Sequence, residues 1–502
     1  MNHNMVKKYI MTIDQGTSAT KAVLFDSAGK LVHRCNVAHH QYYPMPGWVE
    51  HDPDEIYSNT LEAVRGVISE SCITEDSIAA IAVSNQRETA VVWDRNTGRP
   101  VYNAIVWQCQ RGDEICKRLS KRGLGDIIQK KTGLVLSPYF SASKISWILE
   151  NVQGARSRAE AGDLLCGNID AWIIWNLTGG KVHATDFSNA SRTQLFDISE
   201  LRWDEELLAA FSIPECMLPE VKSSNSIFGY TCENRVFTSQ IPISGVLGDS
   251  HAALFGQSCV EKGMVKATYG TGSSLMMNIG TEPLFSRNGL VTSLAWGIDD
   301  TVSYVFEGNI NCTGATIKWL VDDLGLIASS MEAGKLASSV DGNEGVYLVP
   351  AFAGLSAPYW DSGARATITG MTRGTKKAHI VRAAEESIAY QIKDIVDLMK
   401  KESGVDLKEL RVDGGPTRDD FLMQFQADIL GTTVVRNKIE ELSAIGSAYM
   451  AGLSMGIWSN IGDISALRNP DTVFQSRMKE DERALLYKGW KDAIKRTLSD
   501  RI

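Results

Sequence analysis

Twice along its 502 residues this chain repeats one pattern: an apolar, β-prone run, a polar glycine-containing turn, and a second apolar run. The first copy is Tyr9–Ile13, Asp14–Thr20 and Lys21–Asp26. The second is Met264–Tyr269, Gly270–Ser274 and Leu275–Ile279. Each predicts a β-hairpin with a polar tip. Strand and helix patterns alternate around both copies. A helix is expected over Pro53–Ser71, with Asp52 as its cap and Pro53 in its first turn. A buried strand, Ile78–Val83, runs into the polar stretch Ser84–Thr89. The apolar run Ile243–Leu247 ends in Gly248-Asp249 and is followed by a helical stretch, His251–Phe255. This alternation places the chain in the α/β class. A chain of this length needs more than one hydrophobic core. The internal echo suggests two related halves meeting near residue 250, and we expect domains at 1–253 and 254–502.

The later half continues the pattern. Apolar residues at helical spacing predict a helix over His379–Lys401. Leu410–Asp413 reads as a strand before Gly414 and Gly415, Phe421–Leu430 as a helix and Thr433–Val435 as a strand. Ser443–Gly452, SAIGSAYMAG, is rich in small residues, as suits a helix packed closely on a backbone or a ligand.

A formal net charge of −9 argues against a nucleic-acid or anionic-membrane partner, because phosphate backbones need a basic face. It permits a small phosphate ligand held by backbone amides and one or two cations. The nine cysteines form no CxxC pair and are odd in number, which suits reduced thiols in the cytoplasm. No stretch approaches 18 uninterrupted apolar residues, so no membrane span is expected.

Three glycine turns follow apolar strands: Asp14-Gln15-Gly16-Thr17, Gly270-Thr271-Gly272 and Gly414-Gly415. Such turns let backbone amides approach a phosphate. None is a P-loop or a dinucleotide fingerprint, and each alone could be an ordinary loop. Their nearby carboxylates and hydroxyls suit a hard cation and phosphate oxygens. Asp249, between a strand and a helix, reads either as a helix cap or as a general base. Arg87 and Glu88 read either as a solvated ion pair or as hydroxyl-binding charges. Trp107 and Tyr139 read as core aromatics or as the apolar wall of a polyol pocket.

Taken in order, IDQGTSATK (13–21), PGWVEHDP (46–53), SNQRETAVVWD (84–94), YNAIVWQC (102–109), NASRTQLFDI (189–198), PISGVLGDSHAALFGQ (242–257), TYGTG (268–272), VPAFAGLSAPYWD (349–361) and LRVDGG (410–415) resemble the FGGY family of carbohydrate kinases, nearest its glycerol kinase branch. The resemblance implies two ribonuclease-H-like (actin-like ATPase) domains flanking a catalytic cleft, with the polyol mainly on the first and ATP mainly on the second. It implies that Asp249 is the general base and that Arg87, Glu88 and Tyr139 bind polyol hydroxyls, with Trp107 against the carbons. Asp14 would orient Mg²⁺, and Thr17, Ser18 and Lys21 would face the transferring phosphate. Thr271, Gly314 and Gly415 would line the nucleotide site. The family also implies a homo-oligomer, a dimer or tetramer.

Five positions depart from the branch. Ser250 stands where Gln is usual, Ser274 where Phe is usual, and Lys21 where Arg is usual. Asp419 replaces an Asn near the adenine, and Lys318 replaces a nucleotide-contacting Gln. Lys21 holds phosphate as a point charge instead of a planar fork. Ser250 and Ser274 make the substrate pocket larger and more polar, which opens a four- or five-carbon polyol or ketose as an alternative to glycerol. The stretch Tyr230–Gln240 has one arginine, Arg235, so inhibition by a sugar bisphosphate is not expected.

Overall fold

The computed structural model describes residues 8–439, 441–467 and 472–499. Its frame is two mixed sheets. The first has six strands in the order Ile227–Tyr230, Pro242–Gly248, Ile78–Asn85, Tyr9–Gln15, Ala19–Asp26 and Leu31–Ala38. The second has seven: Val291–Ile298, Thr301–Ile310, Ser273–Gly280, Met264–Tyr269, Glu409–Asp413, Val434–Arg436 and Thr472–Phe474.

The echo in the sequence is an echo in topology. Tyr9–Gln15 pairs antiparallel with its hairpin partner Ala19–Asp26 and parallel with Ile78–Asn85. Met264–Tyr269 pairs antiparallel with Ser273–Gly280 and parallel with Glu409–Asp413. Each glycine turn therefore projects at the end of a central, fully paired strand. The strands of the first hairpin run further into the tip than the apolar pattern suggests, because ladder hydrogen bonds continue through polar residues. As a result Asp14 lies opposite Lys21 on one side and Ser84 on the other.

Helix Pro53–Ser71 begins as expected, with the Asp52 carboxylate accepting from the amides of Asp54 and Glu55. Helix Lys377–Ser403 supplies Ile388, Ile392, Ile395 and Met399 to the core beneath the second sheet. The small-residue helix, Leu442–Ser454, returns from the late chain to the first sheet. Its Ser447 hydroxyl donates to the Val83 carbonyl at 3.1 Å, and its Ala444 carbonyl accepts from Thr12 Oγ1 at 3.0 Å. A Cβ on Gly446 would fall on the carbonyl of Ala252, so only glycine lets this helix lie against helix Asp249–Gly256. One apolar cluster, including Ile10, Leu247, Phe255, Met276, Trp296 and Tyr449, joins both sheets. Between the sheets opens a cleft of about 1060 Å³, and both glycine-turn hairpins border it. Among the described residues no helix is long and apolar enough to cross a membrane.

Candidate active site

Asp249 is the first residue of its helix, directly after strand Pro242–Gly248. It does not cap the helix: the capping position is Gly248, with no side-chain cap. Its Oδ1 instead accepts from the Ser250 amide at 2.6 Å and lies 3.3 Å from Arg87 Nε. The carboxylate is 38% exposed and lines the cleft. The sequence thus leaves a choice that the structure resolves against capping.

Arg87 and Glu88 are not a solvated pair. Both are buried, and they point to different partners. Arg87 makes a two-pronged contact with Glu307, Nη1 to Oε2 at 3.1 Å and Nη2 to Oε1 at 3.2 Å. Arg192 Nε reaches Glu88 Oε1 at 2.5 Å, and its Nη1 reaches Glu307 Oε2 at 2.9 Å. The chain of contacts runs Glu88, Arg192, Glu307, Arg87, Asp249. Buried charges survive only when paired, and here each guanidinium has two acidic neighbours. Burial alone would raise the Glu307 carboxyl, but Arg192 and Arg87 hold it well below the carboxylate range. Glu88 adopts a left-handed backbone, φ 61°, a conformation non-glycine residues hold only where surroundings enforce it. His251, behind Asp249, is kept neutral by burial and by Arg87 and Arg192, and its Nε2 lies 3.1 Å from Ser293 Oγ.

Two half-buried aromatics complete this end. Trp107 and Tyr139 meet edge to face at 5.6 Å. Trp107 Nε1 donates to Thr17 Oγ1 at 3.0 Å, tying the aromatic wall to the first hairpin tip. The buried Lys144 ammonium donates to the Pro138 and Tyr139 carbonyls at 2.8 and 2.5 Å, fixing the turn that presents Tyr139. Burial brings its pKa down to about 7.

The other end is built differently. Burial pushes the Asp14 carboxyl up to about 6, with Lys21 and Ser84 pulling it down and Asp249 and Glu441 adding to the rise. Lys21 Nζ lies 2.7 Å from Glu441 Oε2, and Arg34 Nη1 lies 2.8 Å from Glu441 Oε1. Lys266 is buried in the middle of its strand and lines the cleft. Burial lowers its pKa, and nearby Asp413 opposes the fall. Asp413 in turn accepts from Gln257 and from Thr268 Oγ1 at 3.1 Å. The second hairpin turn is nearly all backbone. The Gly314 amide donates to the Gly270 carbonyl at 3.0 Å, and a Cβ on Gly414 would fall on the Tyr269 carbonyl. Gly415 lies open on the cleft wall.

The family models decide what this cleft belongs to. The N-terminal domain model of the FGGY family of carbohydrate kinases matches residues 9–256, and its C-terminal domain model matches 265–455. The chain belongs to the FGGY family of carbohydrate kinases. Membership makes it an ATP-dependent phosphotransferase. A glycerol kinase of Caldanaerobacter subterraneus is 52% identical over 98% of this chain and 99% of its own length. Glycerol kinase 2 of Thermotoga maritima is 51% identical with the same coverage. The crystal structure of Plasmodium falciparum glycerol kinase with ADP superposes with a TM-score of 0.94, at 40% identity and 98% coverage of both chains. A xylulose kinase of Lactobacillus acidophilus, 23% identical, shares the fold with a TM-score of 0.86.

Of the expected FGGY site residues, Asp14, Lys21, Asp249, Ser250, Ser274 and Gly415 line the cleft. Arg87 contacts Asp249, Glu88 is tied to it through Arg192 and Glu307, and Tyr139, packed on Trp107, lies beside Arg192. Thr17 is half-buried and Ser18 exposed at the first hairpin tip, while Thr271 and Gly314 shape the second. Lys318 and Asp419, also expected at the nucleotide, are not among the residues that line the cleft. Lys318 is 77% exposed and faces Asp322 at 3.8 Å. Asp419 caps helix Asp420–Leu430 through the amides of Phe421 and Leu422. Arg192, Glu307, Lys266 and Glu441 escaped the sequence reading. Glu307 and Lys266 do carry a signal, since each is a lone charge inside an apolar strand, where an ionised group needs a reason to be.

Proposed function

We propose that the chain transfers the terminal phosphoryl group of ATP to a hydroxyl of a small polyol, glycerol being the substrate that the relatives' names supply. The observation that carries the reading is the Asp249 carboxylate, open to the cleft and oriented by a buried four-charge network. Residues 1–253 supply most of the polyol wall and 254–502 most of the nucleotide wall.

Phosphoryl transfer has a loose, in-line transition state, so the protein chiefly positions reactants and neutralises charge. Arg87 and Glu88 bind the alcohol's hydroxyls by charge-assisted hydrogen bonds, Tyr139 adds a further one, and Trp107 packs against the carbons. The alcohol oxygen attacks the γ-phosphorus, the bond to the β,γ-bridging oxygen breaks, and ADP leaves with that electron pair. The alcohol proton passes to Asp249 and then to solvent. Thr17, Ser18 and Lys21 meet the transferring group, and the Thr271, Gly314 and Gly415 region receives the nucleotide on a glycine-rich wall that a ligand can approach closely.

The residues fit one Mg²⁺. Asp14 and Asp249 repel each other, and Asp14 stays ionised with difficulty, a strain that a divalent cation relieves. Among the described residues no cluster of three His, Cys, Asp or Glu could hold a metal, and phosphate oxygens and water would complete the coordination of an ion oriented by Asp14. The cation would neutralise phosphate charge, and Asp14 would orient it.

The test is ADP formation by the purified chain with ATP and Mg²⁺, with and without glycerol. Glycerol-dependent ADP and a phosphorylated product are expected. ADP release that ignores every polyol would instead indicate a chaperone-like ATPase and overturn the reading.

A further inference from the structure

One carboxylate in the cleft holds two cations at once. Glu441 Oε2 lies 2.7 Å from Lys21 Nζ, and Glu441 Oε1 lies 2.8 Å from Arg34 Nη1. All three residues line the cleft, as does Asp14, which stands opposite Lys21 in the first hairpin. Strand register explains how both cations reach one acid. Arg34 stands opposite Val23, two residues beyond Lys21 on the same strand. Directly opposed residues share a face of a sheet, and residues two apart on one strand share it too, so the cations are diagonal neighbours on one face.

Glu441 occupies the capping position of helix Leu442–Ser454, yet its side chain does not cap. A carboxylate there would ordinarily accept from the first free amides of the helix. This one goes to Lys21 and Arg34 instead. Its side chain is 8% exposed, against 37% for Lys21 and 49% for Arg34, so the acid is the enclosed member of the trio and the cations face the cleft. Glu441 offers Lys21 what a phosphate offers, an anionic oxygen at hydrogen-bonding distance. A terminal phosphate that takes Lys21 must therefore displace Glu441 and then sit beside it as a like charge, unless another cation offsets the carboxylate. Arg34, on the second oxygen, is placed to do so.

We propose that Glu441 is a resident counter-ion that holds Lys21 before the nucleotide binds and yields it to the terminal phosphate of ATP, and that Arg34 is the positioning residue that permits the exchange by keeping the carboxylate paired. The inference rests on the kinase reading above, in which Lys21 meets the transferring group, and adds how that cation is held and released. Glu441 thus competes with ATP, while Arg34 assists ATP without touching it.

The experiment measures Kd for ATP and for ADP, each with Mg²⁺, by isothermal titration calorimetry, which needs no turnover. The proteins are the wild type, Glu441→Gln, Arg34→Ala, Arg34→Lys and the double variant Glu441→Gln/Arg34→Ala. Glu441→Gln keeps the shape of the competitor and removes its charge, so the ATP Kd is expected to fall about threefold, the scale of one partly exposed ion pair. Arg34→Ala ties Glu441 more closely to Lys21, and the ATP Kd should rise by about the same factor. Arg34→Lys, which keeps the charge, should restore it. ADP lacks the terminal phosphate and should respond less than ATP throughout. The deciding arm is the double variant: with no carboxylate to hold, loss of Arg34 should no longer weaken ATP binding relative to Glu441→Gln alone. An Arg34→Ala effect of equal size in both backgrounds would make Arg34 a direct phosphate contact and overturn the proposal. An ATP Kd that does not fall in Glu441→Gln, or equal shifts for ATP and ADP, would overturn it too. Those results leave glycerol-dependent phosphorylation untouched. The expected binding pattern without any phosphorylated product would overturn the polyol-kinase reading alone, and failure to bind ATP would overturn both.

Discussion

The two ends of the cleft solve the same problem, holding polar ligands, by opposite means. At the end proposed to take the alcohol, Arg87, Glu88, Arg192 and Glu307 are buried and locked to one another. At the end proposed to take the phosphates, Lys21 is 37% exposed in an ion pair with Glu441, and the second hairpin turn is built mostly of backbone contacts. A neutral alcohol can be recognised only by aimed hydrogen bonds, which a rigid site such as the proposed one supplies. The phosphates carry their own charge and draw cations from a distance, so exchangeable partners suffice there. Preorganisation is placed where the ligand itself contributes least.

The largest expected effect tests the carboxylate both ends share. Asp249→Asn should lower kcat by about 10²–10⁴-fold, the usual contribution of a positioned base, with the KM values changing far less. An unchanged kcat in steady-state assays would remove the general base from the scheme. Next comes the rigid end. Glu307→Gln leaves two guanidiniums without their central counter-charge, and breaking a buried pair typically costs about 3–5 kcal/mol. The glycerol KM should rise at least tenfold while the ATP KM stays put. An effect on ATP alone would show that the network does not serve the alcohol.

At the looser end, Lys21→Ala should reduce kcat by roughly tenfold, since one half-exposed cation among several contacts is lost. That loss should shrink with added salt in assays of the wild type and variant side by side. Lys21→Arg should recover most of it.

A last comparison is of stability, and it separates the two ends by sign. The Glu307 carboxyl is depressed, so its ionisation stabilises the fold above the ordinary value of 4.5, and that contribution is lost as pH falls below it. The Asp14 carboxyl is raised from 3.8 to about 6, so its contribution is present below 3.8 and is lost as pH rises through 6. Asp14→Asn should therefore raise the thermal midpoint by a few degrees at pH 7.5 without Mg²⁺, and change it little at pH 3.5. Glu307→Gln should lower the midpoint at pH 7.5. Equal shifts of the same sign in differential scanning fluorimetry would erase the distinction.

Much of the frame was legible because local chemistry dictates it. Asp52-Pro53 starts its helix in the expected place, and the hairpins at Asp14 and Gly270 lie where glycine interrupts apolar runs. Gly446 and its small neighbours announced close helix packing, and they pack closely. Strands Val291–Ile298 and Thr301–Ile310 were missed, since nothing in their pattern separates them from other apolar runs. The site was legible only where a motif marked it. Arg192 lay unnoticed inside NASRTQLFDI, and Glu307 and Lys266 were single letters in apolar strands. Glu441 gave no signal, because its partner Lys21 is 420 residues away.

By itself the sequence determined the elements, the doubled strand–turn–strand plan and the family, because these depend on propensities, spacing and glycine turns that act over a few residues. Only the tertiary structure decided who pairs with whom. It sent Arg87 to Glu307 instead of its neighbour Glu88, freed Asp249 from helix capping, and left the Ser274 hydroxyl without a partner. Charge pairing and burial depend on distances between residues far apart in the chain, and those distances exist only once the two sheets have packed.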